Sequence, residues 1–237
     1  MEAPATLVPD RKDELRRWLA EEGRFAPDAG RLLEMLCEKL ALLGVPVGRA
    51  TTHVRTLHPE FRAIQHRWRR GHGIETWTPR HGVEFTPDYL NSPLQRLVET
   101  GQWLDCVLTE DTDRCFPILA TLRAQGFTHY VMAPLVFSNR IVNAMSWASD
   151  APGGFTPADV ELFRELVTAF VPVLEVVSAR RIYGELLATY VGRDPGARIM
   201  AGAVQRGDVR HLKAAMLLAD LRGFSRLTDE LPEERIV

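Results

Sequence analysis

The feature that most constrains the fold of this sequence is a long amphipathic stretch that begins at Thr156. Thr156 and Pro157 supply a side-chain cap and a proline at the first helical position, and Asp159 adds an acidic third position. Apolar residues then recur at helical spacing over many turns, which predicts one helix over residues 156–191. We expect a kink near Pro172, because proline cannot donate the backbone hydrogen bond that a helix interior needs.

A helix of this length cannot bury its whole apolar side on one small domain, so part of the stripe is predicted to pair with a second chain as a coiled coil. The chain is therefore expected to form a homodimer. A helix that folds back over its own domain is the alternative. The stripe assigned to the dimer contains Phe163, Leu166, Phe170, Leu174 and Val177.

The segments before this helix indicate an α+β fold. Two helices are predicted within residues 11–43, and residues 71–92 are predicted to be a long loop because glycine and proline interrupt the pattern. The predicted order is a single antiparallel sheet of about five strands with helices mostly on one face, followed by the long helix. The strands are predicted at residues 45–57, 61–70, 104–108, 127–137 and 140–148.

Composition excludes several classes of protein. The chain has 237 residues, of which 46% are hydrophobic and 25% charged, as in ordinary globular proteins. A net charge of −2 argues against a dedicated nucleic-acid binder. No apolar run approaches the length of a membrane span, and the charged residues early in the sequence lead us to expect no signal peptide. Three cysteines without zinc spacing indicate reduced thiols, so a cytoplasmic location is expected.

Aromatic residues are the first candidates for a ligand pocket, because such pockets have mostly apolar walls with a few polar groups. Two of them fall in the predicted loop, where they could act as a lid; the alternative is that the aromatics belong to the core. The four candidate pocket residues are Trp68, Trp77, Tyr89 and Trp103.

Histidine and cysteine pairs give weaker alternatives. His66, His72 and His81 could bind a metal or haem, although their spacing matches no local ligand motif. Cys106 and Cys115 could form a redox pair, and the alternative is that they are buried thiols.

A short basic run also has two interpretations. Arg67, Arg69 and Arg70 could be a solvated strand edge, or they could contact an anionic ligand.

The order of helices and strands over about residues 27–178 resembles a GAF domain, the small-molecule sensor module. The stretch FTHYVMAPLVFSNRIVNAMSWASD lies where the last hairpin of a GAF domain would be. The resemblance implies an unidentified small-molecule ligand. The sequence lacks the Cys-His pair that anchors bilins in phytochromes.

Residues 186–237 resemble the start of a class III adenylate or guanylate cyclase catalytic domain with its preceding transducer segment. The strongest match is AAMLLADLRGFSRLTDEL, in which an apolar strand over residues 214–219 ends in Asp220. The resemblance implies that Asp220 is the first ligand of the Mg or Mn ions in the complete cyclase; a helix N-cap is the alternative. It further implies that the phosphates lie near Leu221, Arg222, Gly223 and Phe224.

These resemblances predict a regulatory sensor, whose parent protein would convert ATP to cyclic AMP and pyrophosphate. The sequence ends before the family's second metal-binding Asp, so this chain is expected to be inactive by itself and to hold no cofactor. The alternatives are a free-standing thiol enzyme of the methionine sulfoxide reductase type and a ligand-free dimerisation module. The predicted layout is an N-terminal helix (1–26), a GAF-like domain (27–155), the long helix (156–191), a transducer-like segment (192–213) and a truncated cyclase start (214–237).

Overall fold

The computed structural model describes residues 10–205, 213, 215–220 and 222. The chain divides into two compact units, Met1–Met200 and Ala201–Val237. The helices of the first unit are α1 (Arg11–Glu21), α2 (Ala29–Leu42), α3 (Pro87–Leu90), α4 (Pro93–Thr100), α5 (Pro117–Ala124), α6 (Pro157–Tyr190) and α7 (Arg193–Met200). Its strands are β1 (Arg49–Arg55), β2 (Ala63–Arg69), β3 (Gly73–Trp77), β4 (Leu104–Val107), β5 (His129–Val136) and β6 (Val142–Ser149).

The six strands form one antiparallel sheet in the order β3-β2-β1-β6-β5-β4. The α+β prediction is confirmed, but the count of about five strands is one too low. The missing strand, β3, lies inside the predicted loop over residues 71–92. Gly71 and Gly73 adopt positive φ angles of 74° at the turn that leads into it. Because β3 is a short edge strand with mostly exposed side chains, it carries no apolar alternation that would reveal it.

Strand alternation gives the sheet two faces with different covers. The first face carries residues such as Ala50, Trp68 and Trp147 and packs beneath α1, α2 and α6 in the larger core. The second face is covered by α4 and α5 only over β4, β5 and β6, where a smaller apolar core forms. We call this part of the second face the covered half. Its sheet residues are Leu104, Cys106, Tyr130, Met132, Val142, Ala144 and Ala148.

Helix α6 is assigned as one continuous helix through Pro172, and both hydrogen bonds of the capping box between Thr156 and Asp159 are present. The prediction that its apolar stripe pairs with a second chain is wrong for the five residues chosen. All five are at most 2% exposed within this single chain, because they pack on the chain's own sheet. The buried stripe contains Phe163, Leu166, Phe170, Leu174 and Val177.

The far end of α6 has a different environment. No residue described between 179 and 190 is fully buried. Helix α7 follows and packs against this end, where a Cβ on Gly196 would come within 3.0 Å of the Leu187 carbonyl carbon. The absence of a Cβ at Gly196 is therefore what permits the two helices to approach so closely.

The predicted strand over residues 214–219 is not confirmed. Residues 215–220 are described without strand pairing, and Met216, Leu217 and Leu218 are at least 93% exposed. A strand is defined by its hydrogen bonds to a neighbouring strand, and this segment has none among the described residues. Asp220 and Arg222 are exposed. The predicted phosphate contacts Leu221, Gly223 and Phe224 lie outside the described residues.

Candidate ligand-binding site

The second face of the sheet is polar where α4 and α5 do not cover it. On β1 the alternation places Arg49, Thr51 and His53 on this face, while Ala50 and Val54 face the larger core. The strand pairing sets Arg69 opposite Arg49, Arg67 opposite Thr51 and Gln65 opposite His53. We call the resulting group the polar patch. It consists of Arg49, Thr51, His53, Gln65, Arg67, Arg69 and, from β6, Ser146.

Hydroxyl groups join the two central strands inside the polar patch. Thr51 Oγ1 and Ser146 Oγ are hydrogen-bonded at 2.5 Å, and both residues are almost completely buried. The Tyr130 hydroxyl, at the border of the covered half, donates to Met132 Sδ at 3.5 Å. These neutral groups can donate or accept, so they can satisfy a polar ligand without adding charge.

Arg49 is the most unusual residue of the polar patch. It is only 8% exposed, and its guanidinium has neither a hydrogen bond nor an ion pair with any described residue. Burial lowers the pKa of Arg49 to about 10, and Arg67 and Arg69 lower it further, while Tyr130 and the exposed carboxylate of Glu75 oppose the lowering. A buried cation that forms no ion pair is costly, so this arrangement does not serve stability.

His53, the histidine of the polar patch, is affected by the same positively charged arginines. Burial lowers the pKa of His53 to about 4, and Arg49 and Arg67 contribute to the lowering. His53 is therefore neutral at physiological pH and offers one donor and one acceptor nitrogen. The site thus combines cationic guanidinium groups with neutral polar groups.

The rim of the polar patch is open to solvent. The Arg67 side chain is 45% exposed and lies 3.7 Å from a carboxylate oxygen of Glu75 on β3. The guanidinium carbon of Arg69 lies 6.0 Å from the centre of the Phe127 ring. Trp77, paired with Gln65 across the strands, is 58% exposed. Exposure therefore rises from the buried Arg49 outward to β2 and β3.

The structure does not bring the four predicted pocket aromatics together. Trp68 is buried on the first face, in the larger core. Trp103 packs at the edge of the same core, where the Arg164 guanidinium carbon lies 4.7 Å from its ring centre. Tyr89 is half-buried in α3. Only Trp77 lies beside the polar patch, so the assignment of Trp68 and Trp103 to one pocket with Trp77 is wrong: alternation places Trp68 on the opposite face.

A small cavity lies on the first face, away from all four aromatics. It measures about 20 Å³ and is lined by residues that include His66, Thr56 and Ser178. The side-chain oxygens of Thr56 and Ser178 are buried and lack partners among the described residues. This volume holds about one water molecule and is too small for a metabolite.

The cysteines do not form an activated thiol site. Cys106 is half-buried, and its thiol lies 3.7 Å from the Tyr130 carbonyl oxygen, to which it donates. Burial raises the pKa of the Cys106 thiol to about 11, and Asp105 and Cys115 raise it further. A thiol with this pKa is protonated at neutral pH, which makes it a poor nucleophile.

The predicted histidine and metal sites find no support either. His66 is buried next to Thr76, with its Nδ1 3.0 Å from the threonine hydroxyl. His72 and His81 each contact a backbone carbonyl instead. Within the described residues, no three His, Cys, Asp or Glu side chains are grouped as a metal ion would require, and Asp220 is a single exposed carboxylate.

The sequence interpretation missed Arg49, Thr51, His53 and Ser146. The signal was present in the alternation of β1, which puts three polar side chains on one face in succession. It was obscured because the partner strand, β6, lies almost 100 residues away, and sequence alone does not reveal that the two strands are neighbours. Of the basic run Arg67, Arg69 and Arg70, only Arg67 and Arg69 belong to the polar patch, because Arg70 follows the end of β2.

No protein-family model and no curated protein matches this sequence. Among solved structures, the chain is similar to the GAF domain of a two-component sensor histidine kinase from Bacillus halodurans, with 17% identity and a TM-score of 0.46, over 62% of this chain and 93% of that chain. It is also similar to the GAF domain of a phosphoenolpyruvate-protein phosphotransferase from Coxiella burnetii, with 11% identity and a TM-score of 0.48, over 73% and 96%.

A third similar structure is the free methionine-R-sulfoxide reductase from Neisseria meningitidis in complex with its substrate, with 15% identity and a TM-score of 0.47, over 76% of this chain and 95% of that chain. At these identities the likeness concerns the fold alone. The fold is GAF-like: a six-stranded antiparallel sheet with helices and a long C-terminal helix. No helix within the described residues is long and apolar enough to cross a membrane.

Proposed function

We propose that this chain is a regulatory sensor module, which binds a small molecule at the polar patch and relays its presence through α6 to a class III nucleotide cyclase domain. The single observation that carries the ligand site is the buried, unpartnered guanidinium of Arg49 among the hydroxyl groups of Thr51 and Ser146. Such a group is better explained by a binding partner than by stability.

The sheet supplies a short route from the polar patch to α6. Ser146 faces the polar patch, and the next residue, Trp147, faces the opposite side. The Trp147 ring is stacked on Phe163 of α6, with ring centres 4.4 Å apart and planes within 4°. A ligand that shifts β6 at Ser146 would therefore move a residue in direct contact with α6, because packed cores transmit small displacements.

The cyclase part of the proposal is supported by the sequence pattern of residues 214–225. In the complete cyclase, Asp220 would be the first carboxylate on the Mg or Mn ions, which activate the ribose 3′-oxygen and neutralise the phosphates. Arg222 and its neighbours Leu221, Gly223 and Phe224 would lie near those phosphates. The product of that reaction would be cyclic AMP.

We also propose that the sensor acts as a homodimer, through the part of α6 that its own sheet leaves uncovered. Tyr183 and Tyr190 are 59% and 80% exposed there, and Ile182 and Leu186 are half-buried. Two such helices side by side would place two catalytic domains together, and a change of helix register would alter how they meet.

The relay is tested by inserting residues after Ser178 in the full-length gene product. Two inserted residues turn the following helix by about 200°, whereas seven residues nearly restore its face and serve as the matched control. We expect both variants to keep basal cyclic AMP formation. Only the seven-residue variant should still respond to the small-molecule fraction of an extract of the source cells. A two-residue variant that responds like the wild type would contradict the relay.

A further inference from the structure

We propose that the ligand of the polar patch is an oxyanion, a molecule whose carboxylate or phosphate group is bound by the guanidinium of Arg49. The inference deepens the proposed function and rests on it, because it assigns a chemical class to the ligand of the same site. The planar guanidinium fork matches the two oxygens of a carboxylate or phosphate, and such charge-assisted pairs are the strong ones.

Arg70, which directly follows β2, shows how a structural arginine is satisfied in this fold. Its Nη2 donates to the Val47 carbonyl oxygen at 2.6 Å, and the same nitrogen lies 3.3 Å from a carboxylate oxygen of Asp150. Arg49 has no such partner among the described residues, although it is 8% exposed and the Arg70 side chain is 51% exposed. The more deeply buried cation is the one without a counter-charge, which is the reverse of what stability requires.

Most of the charged groups around Arg49 are positive. Arg69 lies directly opposite Arg49 across the strand pair, and Arg67 is the next residue of β2 on the same face. The second face of β1, β2 and β3 carries four arginines, at positions 49, 55, 67 and 69, and a single carboxylate, that of Glu75. Glu75 is 74% exposed and 3.7 Å from Arg67, so solvent screens its charge.

The exposed arginines of the polar patch are the groups that an anion from solvent would meet first. The Arg67 side chain is 45% exposed and Arg69 is exposed, while Arg49 lies deeper between the central strands. An anion would meet the exposed arginines first and reach Arg49 with one charged group. Next to Arg49 on the same face, the hydroxyl of Thr51 or Ser146 that accepts in the hydrogen bond between the two can then donate its own proton to a remaining oxygen of the anion.

The experiment uses the 237-residue chain and three probes, each at matched ionic strength set with sodium chloride. Inorganic phosphate and succinate test the two oxyanion sources, and succinamide is the neutral match of succinate. Binding is followed by the change in the unfolding midpoint and by the NMR signals of the arginine Nε and histidine ring groups. Phosphate, succinate or both should shift the Arg49 Nε signal and raise the unfolding midpoint at millimolar concentration, whereas succinamide should do neither.

Arg49→Met removes the guanidinium and keeps an apolar stem of similar length. We expect it to weaken the affinity for the effective oxyanion at least about tenfold without lowering the unfolding midpoint of the free protein. Arg67→Gln, on the exposed rim, should weaken the affinity by a smaller factor. The matched control is Arg17→Gln, which removes the same charge from an exposed position of α1 and should bind as the wild type does.

Each outcome decides the inference. Retained affinity in Arg49→Met, a response to succinamide equal to that of the effective oxyanion, or no Arg49 signal shift with either oxyanion would overturn it. If Arg49→Met fails to fold, the oxyanion affinities of Arg67→Gln and Arg17→Gln are compared instead. Equal affinities would then overturn the inference. If a neutral ligand binds at Thr51 and Ser146, the proposal of an oxyanion ligand is refuted, and the proposal that the chain is a sensor is retained. If an oxyanion binds but the cyclic AMP response persists in the two-residue insertion variant, the proposed relay through α6 is refuted. The proposal of an oxyanion ligand is then retained.

Discussion

The two halves of the second sheet face belong to one antiparallel sheet, yet they carry different side chains. Over β4, β5 and β6 the face is apolar and is covered by Leu97 of α4 and Leu119 of α5. Over β1 and β2 the face carries the polar patch, in which Arg49 is buried without a counter-charge. The covered half stabilises the sheet by apolar packing, whereas the polar patch holds buried polar groups that lower stability.

The difference between the two halves separates residues that stabilise the fold from residues that are placed to bind a ligand. Apolar burial stabilises in proportion to the area removed from water, so the covered half contributes directly to folding. The polar patch contributes little and carries an electrostatic cost, which a natural protein retains where the groups have a use. Mutations in the two halves should therefore separate stability from binding.

The largest expected effect comes from the covered half. Leu119→Ala removes a side chain that is 1% exposed and leaves a cavity beneath α5. We expect the free energy of unfolding to fall by about 2–4 kcal/mol, measured by urea denaturation. The matched control is Leu57→Ala, a leucine 68% exposed in the turn after β1, which should change stability by less than about 0.5 kcal/mol. Equal losses at Leu119 and Leu57 would remove the distinction between core and surface on which the comparison depends.

A smaller loss of stability is expected at acidic pH, and it comes from histidines on both faces of the sheet. Burial lowers the pKa of His53, in the polar patch, and of His66, on the first face, each to about 4 from 6.5. Between pH 6.5 and 4 the unfolded chain therefore binds protons that the folded chain does not, so stability falls as the pH falls through this window. At pH 5 we expect a loss of about 1–2 kcal/mol for each histidine, the smaller for His53, whose half-buried side chain is partly screened.

Single variants assign this pH dependence. His53→Gln and His66→Gln should each flatten the fall in stability between pH 7 and 5 by the share of that histidine, measured by urea denaturation at each pH. A bound oxyanion should then raise the pKa of His53 and leave that of His66 unchanged, because only His53 shares the polar patch with Arg49. An equal rise at both histidines would mean that the anion acts through the whole chain and not at the polar patch.

The sequence predicted the parts of the fold that have a strong local period. The helix that begins at Thr156, its capping box and the hairpin of β5 and β6 were all expected from spacing and turn residues, and the structure has them. Strand β3 was missed because Gly73–Trp77 is short, lies at the sheet edge and exposes most of its side chains. The prediction for the apolar stripe of α6 was also wrong, because the sequence pattern of such a stripe is the same whether it packs on its own sheet or on another chain.

The candidate site was less predictable than the fold for a related reason. Four aromatic residues were predicted to line the pocket, but one of them, Trp68, belongs to the core on the opposite face. The polar patch depends on Thr51 meeting Ser146, two residues 95 positions apart in the sequence. Only the strand order β2-β1-β6 brings them together, and strand order is a property of tertiary packing that local patterns do not encode.

The smallest expected effect concerns the thiols and tests the alternative of a thiol enzyme. Because burial raises the pKa of Cys106 to about 11, little thiolate is present at pH 7. We expect iodoacetamide to label Cys106 roughly 10- to 100-fold more slowly than free cysteine, with a rate that keeps rising up to about pH 11, as followed by mass spectrometry. Cys115, which is exposed, should be labelled before Cys106 and provides the internal control.

The double variant Cys106→Ser/Cys115→Ser extends the same comparison to function. Cys106 lies in the covered half and not in the polar patch, so ligand binding at Arg49 should be unchanged when both thiols are removed. Stability should change by at most about 1 kcal/mol, because serine nearly keeps the volume of cysteine at a half-buried position. Rapid labelling of Cys106 at pH 7, together with a reductase activity that the double variant loses, would instead place the chemistry in the covered half and make the thiol the functional group of this fold.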